Sequence, residues 1–186
     1  MPSLLQDELG CDTIYPVHRL DRTTQGVMVY ALTEDAARRL SAMIRQGKVE
    51  KTYLAVVEGV PEETQGEYAD LLYFDRRKNK SYVVKRERKG VKQARLQYEA
   101  LQTIEHEGER LSLLKIHLMT GRTHQIRVQF ASRQMPLVGD RRYGSHIPAD
   151  HIQLCAAKLS FTHPITDEAL SFSHDPTYEF YELFNI

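Results

Sequence analysis

Between Lys51 and Leu118 the chain returns repeatedly to strand-like text: KTYLAVVEG, SYVVK, ARLQYEAL and RLSLLKIHL, separated by charged or glycine-containing turns. A strand exposes rows of N–H and C=O groups that must be paired, so a chain with this many strands has to assemble a sheet. Two later segments, Leu154 to Phe161 and Ala169 to Ser173, read the same way. Helical text is scarcer. Thr33 can cap a helix whose first turn carries Glu34 and Asp35, with Ala36, Leu40, Met43 and Ile44 at helical spacing until Gly47 ends it. A second short helix is predicted over Thr123 to Ser132, and Val27 to Leu32, apolar on both faces, is predicted to be a central strand. Few helices and no regular βαβ alternation imply an α+β fold: a mixed, largely antiparallel β-sheet with a few flanking helices. At 186 residues, 41% of them apolar, the chain has material for one core, and residues 1–186 are expected to form a single domain.

Cysteine usage and charge narrow the setting. Cys11 and Cys155 are too few and too far apart for a disulfide framework, and neither sits in CxxC or Cys/His zinc spacing, so a reducing cytoplasmic location is expected. The opening MPSLLQDELG lacks a basic start followed by a sustained apolar stretch, and no later segment is long enough to cross a bilayer. A soluble protein without a membrane partner is the expectation. The 25 basic and 25 acidic residues cancel, yet between Arg76 and Arg95 ten Lys or Arg meet only Glu87, a local excess of +9 that the rest of the chain must balance. From Asp167 onward five acids meet no Lys or Arg. Such separation suits a face turned toward a polyanion, or else a solvated hairpin.

Three stretches could carry chemistry. In HRLDRTTQG, an extended Val17 to Asp21 would put Arg19 and Asp21 on one face, either as a structural ion pair or as a reactive one. In TGRTHQIRVQF, Gly121 could open a helix whose free N–H groups favour an anion, with Arg122 and His124 at the same end. Ile126 and Phe130 would face the core and Arg127 would look away from it, which equally describes an ordinary amphipathic helix with a basic outer face. Tyr53, in KTYLAVV, reads as a core tyrosine or an aromatic platform. A metal-dependent hydrolase using His18, Asp21, His117 and His124 has no recognised ligand spacing to support it.

Taken in order, HRLDRTTQG, KTYLAVVEG, TGRTHQIRVQF with PLVGDRRYG, and IQLCAAKLSFTHPITDEALSF resemble the RluA family of RNA pseudouridine synthases over nearly the whole chain. The resemblance implies the pseudouridine synthase fold and conversion of specific uridines to pseudouridine in structured ribosomal or transfer RNA, without cofactor or metal. It makes Asp21 the catalytic aspartate, Tyr53 the tyrosine beside the target base and Arg127 the basic partner of the aspartate. It implies base flipping, with Arg19 filling the vacated space, and RNA contacts from Arg19, Arg22, Arg76, Arg77, Lys78, Lys80, Arg122 and His124. No separate RNA-recognition domain is expected, and the alternative is a catalytically impaired RNA-binding module of the same fold. Three departures stand out: Thr24-Gln25-Gly26 where the family usually reads T-S-G, Cys155 where it often has His, and fewer residues than usual before HRLD. Missing N-terminal strands would leave an unpaired sheet edge.

Overall fold

Long antiparallel pairings dominate the molecule, a computed structural model in which residues 2–177 and 179–184 are described. The main sheet runs in the order β10 (Ala169–Ser173), β9 (Leu154–Thr162), β4 (Glu50–Glu58), β8 (Glu109–Leu118), β7 (Val91–His106), β5 (Gln65–Asp75) and β6 (Lys80–Val84). Strands β7 and β8 form a hairpin whose two turn residues, Glu107 and Gly108, both have positive φ, as a tight turn matched to strand twist requires. One further pairing is parallel: β2 (Gln25–Gly26) lies beside Cys155 and Ala156 of β9. Strand β9 is therefore covered along the edge opposite β4, by β2 and then by β10. The remaining elements are α1 (Pro2–Leu9), β1 (Tyr15–Pro16), β3 (Tyr30–Ala31), α2 (Glu34–Arg45), α3 (Gln125–Ala131), a 3₁₀ turn (Arg141–Tyr143) and α4 (Glu179–Glu182).

Side-chain alternation splits the core in two. Tyr53, Ala55 and Val57 of β4, Leu96 and Tyr98 of β7, and Leu114, Ile116 and Leu118 of β8 face Ile126 and Phe130 of α3. Phe130 is fully buried, and each such apolar side chain removed from water contributes about 2 kcal/mol. On the opposite face Val56, Leu111, Leu113 and Cys155 pack under Tyr181 and Phe184. Cys155 thus belongs to the far core, where burial and then the charge of Asp175 push its thiol up to about 12.

Helix α2 forms as its signals require, with Thr33 accepting from the Ala36 N–H and Glu34 and Asp35 in the first turn. Three expectations are corrected. Val27 to Leu32 is not a central strand: only Tyr30 and Ala31 pair, with β1, in a separate two-stranded ribbon. One set of its alternate apolar residues, Val27, Val29 and Ala31, packs with Leu40 of α2 and with Leu159 and Phe161 of β9, while Leu32 is exposed. Val17 to Asp21 is not a strand but a connection between β1 and β2. The helix expected over Thr123 to Ser132 starts two residues later, at Gln125, and is buried from Gln125 to Phe130, so it has no exposed basic face.

Gly26 ends the HRLD connection with φ +121, and a Cβ there would collide with the Ala156 backbone. Gly26→Ala is expected to lower stability by on the order of 1–3 kcal/mol through backbone strain and loss of the β2–β9 pairing. Guanidinium unfolding of the two proteins measures it, and equal midpoints would show that the glycine is dispensable.

Candidate active site

A cleft of about 440 Å³ opens between the HRLD connection, the end of α2, the start of β4 and the segment joining β8 to α3. Arg19, Asp21, Tyr53, Arg122, His124 and Arg127 all line it. The HRLD connection is held from both ends. His18 Nε2 accepts from the Val29 N–H at 3.1 Å, and the Thr24 N–H donates to the Asp21 carbonyl at 2.9 Å. Burial, followed by the charge of Lys51, lowers His18 from 6.5 to about 4, so at neutral pH the ring is uncharged and free to accept.

Arg127 is the centre of the site. It is 5% exposed, and its guanidinium is divided between two carboxylates. Nε and Nη2 donate to the two oxygens of Asp140 at 2.7 and 3.0 Å, while Nη1 donates to Asp21 Oδ2 at 2.8 Å. Burial opposes the cation, but the hydrogen bonds and charges of Asp140 and then Asp21 outweigh it and hold the guanidinium above its ordinary pKa. Asp140 is 1% exposed and Asp21 keeps 19% of its side-chain surface open. Among the described residues Asp21 Oδ1 has no hydrogen-bond donor, leaving one carboxylate oxygen for the cleft.

His124 sits at φ +54, a left-handed conformation that costs a β-carbon-bearing residue free energy and is kept where the surroundings impose it. Here it swings the ring against Tyr143, whose hydroxyl lies 3.0 Å from Nδ1 and accepts from the Ser81 N–H at 2.7 Å. The Tyr143 hydroxyl and the His124 ring are thus hydrogen-bonded, with the direction of that bond set by the imidazole tautomer. Nε2 lies 3.9 Å from Asp21 Oδ2. Burial lowers the His124 pKa, and the neighbouring Asp21 only partly offsets it. The ring is therefore neutral near pH 7, and its contact with Asp21 is a dipole beside a charge rather than an ion pair. Tyr53 is buried, and burial followed by the charge of Asp21 raises its phenol pKa, so it too stays neutral.

Other expected positions divide. Arg19 and Asp21 share the cleft although no strand presents them. Arg22 is exposed and outside the cleft lining. Arg76, Arg77 and Lys78 form the exposed β5–β6 turn, where Asp75 Oδ1 accepts from the Arg77 and Lys78 N–H groups at 2.9 and 3.1 Å. Lys80 Nζ donates to the Arg142 carbonyl at 2.7 Å, tying that hairpin to the 3₁₀ turn beside Arg127. Arg122 donates its Nε to the Gln93 carbonyl at 2.8 Å. The anion site expected at the helix start is occupied from within: Gln125 Oε1 accepts from the Arg122 N–H at 3.0 Å and the Thr120 hydroxyl at 2.7 Å. His117 lies between Ile116 and Leu118, which face the cleft-side core, so it points to the opposite face beside Thr52 and Gln97. Among the described residues no three His, Cys, Asp or Glu are grouped to hold a metal ion, and no helix is long and apolar enough to cross a membrane. Asp140 and Tyr143 escaped the sequence reading of individual roles; PLVGDRRYG marked the segment but not what it grips.

Comparison with known proteins gives these contacts a context. Residues 3–132 match the family model described as RNA pseudouridylate synthase. The chain is 35% identical over 184 residues to "tRNA pseudouridine synthase C" of Yersinia pestis, covering 90% of this chain and 70% of that protein. It is 37% identical over 166 residues to "Dual-specificity RNA pseudouridine synthase RluA" of Pasteurella multocida, covering 88% and 74%. Among solved structures, "Human RNA Pseudouridylate Synthase Domain Containing 4" superposes with a TM-score of 0.78 over 98% of this chain and 80% of that one, at 22% identity, a likeness of fold.

Removing Asp140 strands a buried cation, and Asp140→Ala is expected to cost about 3–5 kcal/mol in urea unfolding. A loss below ~1 kcal/mol would mean that Asp21 alone satisfies Arg127. His18 supplies a pH test. Because its folded pKa of about 4 lies below the 6.5 of the free side chain, the unfolded chain binds more protons in between. Its contribution is complete above pH 6.5 and is lost as pH falls toward 4, by at most about 3 kcal/mol. Stability of His18→Gln, compared with wild type across that window, should decline less steeply; parallel curves would reject the assignment.

Proposed function

The chain belongs to the RNA pseudouridine synthase family, whose members are isomerases, and from that premise we propose that Asp21 is the catalytic aspartate that isomerises specific uridines in structured transfer or ribosomal RNA. The observation that carries this reading is the unequal use of a carboxylate that lines the cleft: Oδ2 is bound to Arg127 at 2.8 Å, while Oδ1 has no donor among the described residues. The guanidinium supplies that carboxylate with a short, charge-assisted hydrogen bond. The overall change breaks the ribose C1′–N1 bond, joins C1′ to C5, delivers a proton to N1 and releases the C5 proton. No redox step is involved and no group is lost.

Each neighbour then has a part. Asp21 acts on the sugar or the base, Arg127 holds its carboxylate in place, and Tyr53 offers the ring face against which a uracil stacks, worth about 1–3 kcal/mol per base. That stacking offsets the few kcal/mol needed to take the base out of its own stack. His124, neutral beside Asp21, is placed to hydrogen-bond a uracil carbonyl or ribose hydroxyl. Arg19, exposed on the cleft wall, fills the gap left by the flipped base. Arg22, Arg76, Arg77, Lys78, Lys80 and Arg122 hold phosphates around it.

Tritium release from RNA labelled at uracil C5 tests the reading. Wild type is expected to release label from bulk transfer or ribosomal RNA, and Asp21→Asn to release none above background while unfolding at a similar midpoint. Release by the Asn variant at even a tenth of the wild-type rate would remove Asp21 from the chemistry.

A further inference from the structure

The cleft holds a cation that the isomerisation does not use. Lys51 stands two residues before Tyr53 at the start of β4, and its side chain lines the same cleft. Its ammonium lies against the turn between β8 and α3, since a Cβ on Gly121 would be 3.6 Å from Lys51 Nζ. It is half-buried, and no carboxylate stands within ion-pair distance of it among the described residues. Burial accordingly lowers its pKa, the mark of an amine given little compensation in the free protein.

The surrounding charge has the same sign. Of the groups lining the cleft, Asp21 is the single carboxylate, against Arg19, Arg45, Lys51, Arg122 and Arg127. Arg127 is satisfied by Asp21 and Asp140, whereas the other four have no acidic partner among the described residues. Arg19, Arg45 and Arg122 are exposed and cheaply hydrated; Lys51, the one that is half-buried, is where desolvation makes an incoming anion worth most.

We propose that Lys51 is the seat for a backbone phosphate next to the nucleotide held over Tyr53 and Asp21, setting the depth at which the ribose enters while the exposed arginines grip phosphates farther out. This rests on the RNA reading of the cleft, and it adds a point contact that is independent of the chemistry. One phosphate neutralised by one ammonium corresponds to the release of about one counterion, so the contact should be visible in the salt dependence of binding.

The test is fluorescence anisotropy with end-labelled bulk transfer RNA and, separately, end-labelled ribosomal RNA, each titrated with wild type, Lys51→Met and Lys51→Arg over a series of potassium chloride concentrations. Lys51→Met is expected to bind about tenfold more weakly at low salt, with the slope of log K against log salt reduced by about one, and Lys51→Arg to recover most of both. Circular dichroism melting of the same samples separates loss of contact from loss of fold: recovery by arginine at an unchanged melting temperature supports the phosphate seat. Wild-type binding with a Met variant of equal affinity and slope would overturn this proposal alone. No binding by wild type would overturn it together with the RNA reading.

Discussion

One guanidinium shared by two carboxylates organises the functional half of this protein. Arg127 reaches Asp140 through two nitrogens and Asp21 through a third, so the triad carries a net charge of −1 in a largely desolvated place. The division is unequal for a physical reason. Asp140, almost wholly buried, needs both of its oxygens satisfied, while Asp21 borders the cleft and can leave one oxygen to whatever enters. Rigid acceptance on one side thus sets the direction of Arg127 and presents Asp21 on the other. Across the cleft stand Arg19, Arg45, Lys51 and Arg122, none with an acidic partner among the described residues, so cationic groups surround the one carboxylate that lines it.

The sheet makes this arrangement possible by separating its two faces. The strands from β4 to β7 turn Tyr53, Leu96 and Ile116 toward α3, and that buried apolar contact anchors the short helix that carries Arg127. Seven residues could not form a stable helix in water without such packing. The strained backbone of His124 is tolerated for the same reason: the packed helix after it and the Tyr143–Ser81 contacts beside it over-determine its conformation. The basic β5–β6 hairpin is coupled to this region through Lys80 and the carbonyl of Arg142, so a strongly cationic surface is joined to the residues around Arg127.

Much of the sheet was legible because strand text has a short period. KTYLAVVEG, ARLQYEAL and RLSLLKIHL became β4, β7 and β8, and Thr33 capped α2 as its hydroxyl and the following acids required. Legibility failed where local pattern and tertiary setting diverge. Val27 to Leu32 looked like a central strand because it is apolar throughout, yet only Ala31 is buried, Leu32 is exposed, and Val27, Val29 and Ala31 pack with residues of α2 and β9. Arg127 looked like an outward residue by helical spacing, but Asp140, thirteen positions later, draws it inward. Gln125 looked unremarkable, and its side chain folds back to fill the helix start that the same spacing left open for an anion.

The sequence by itself determined the antiparallel character of the sheet, the capped helix, and the family that HRLD and GRTHQIR specify, because these depend on residue types at short, regular separations. The tertiary structure alone decided that Arg127 would be shared between Asp21 and Asp140, that the His124 ring would lie between Tyr143 and Asp21, and that Lys51 would stand half-buried in the same cleft with no acid in ion-pair reach among the described residues. Each of these is a matter of which groups distant along the chain come within hydrogen-bonding reach, 106 positions apart for Asp21 and Arg127. Such distances are set by how the whole core packs, and no local pattern encodes them.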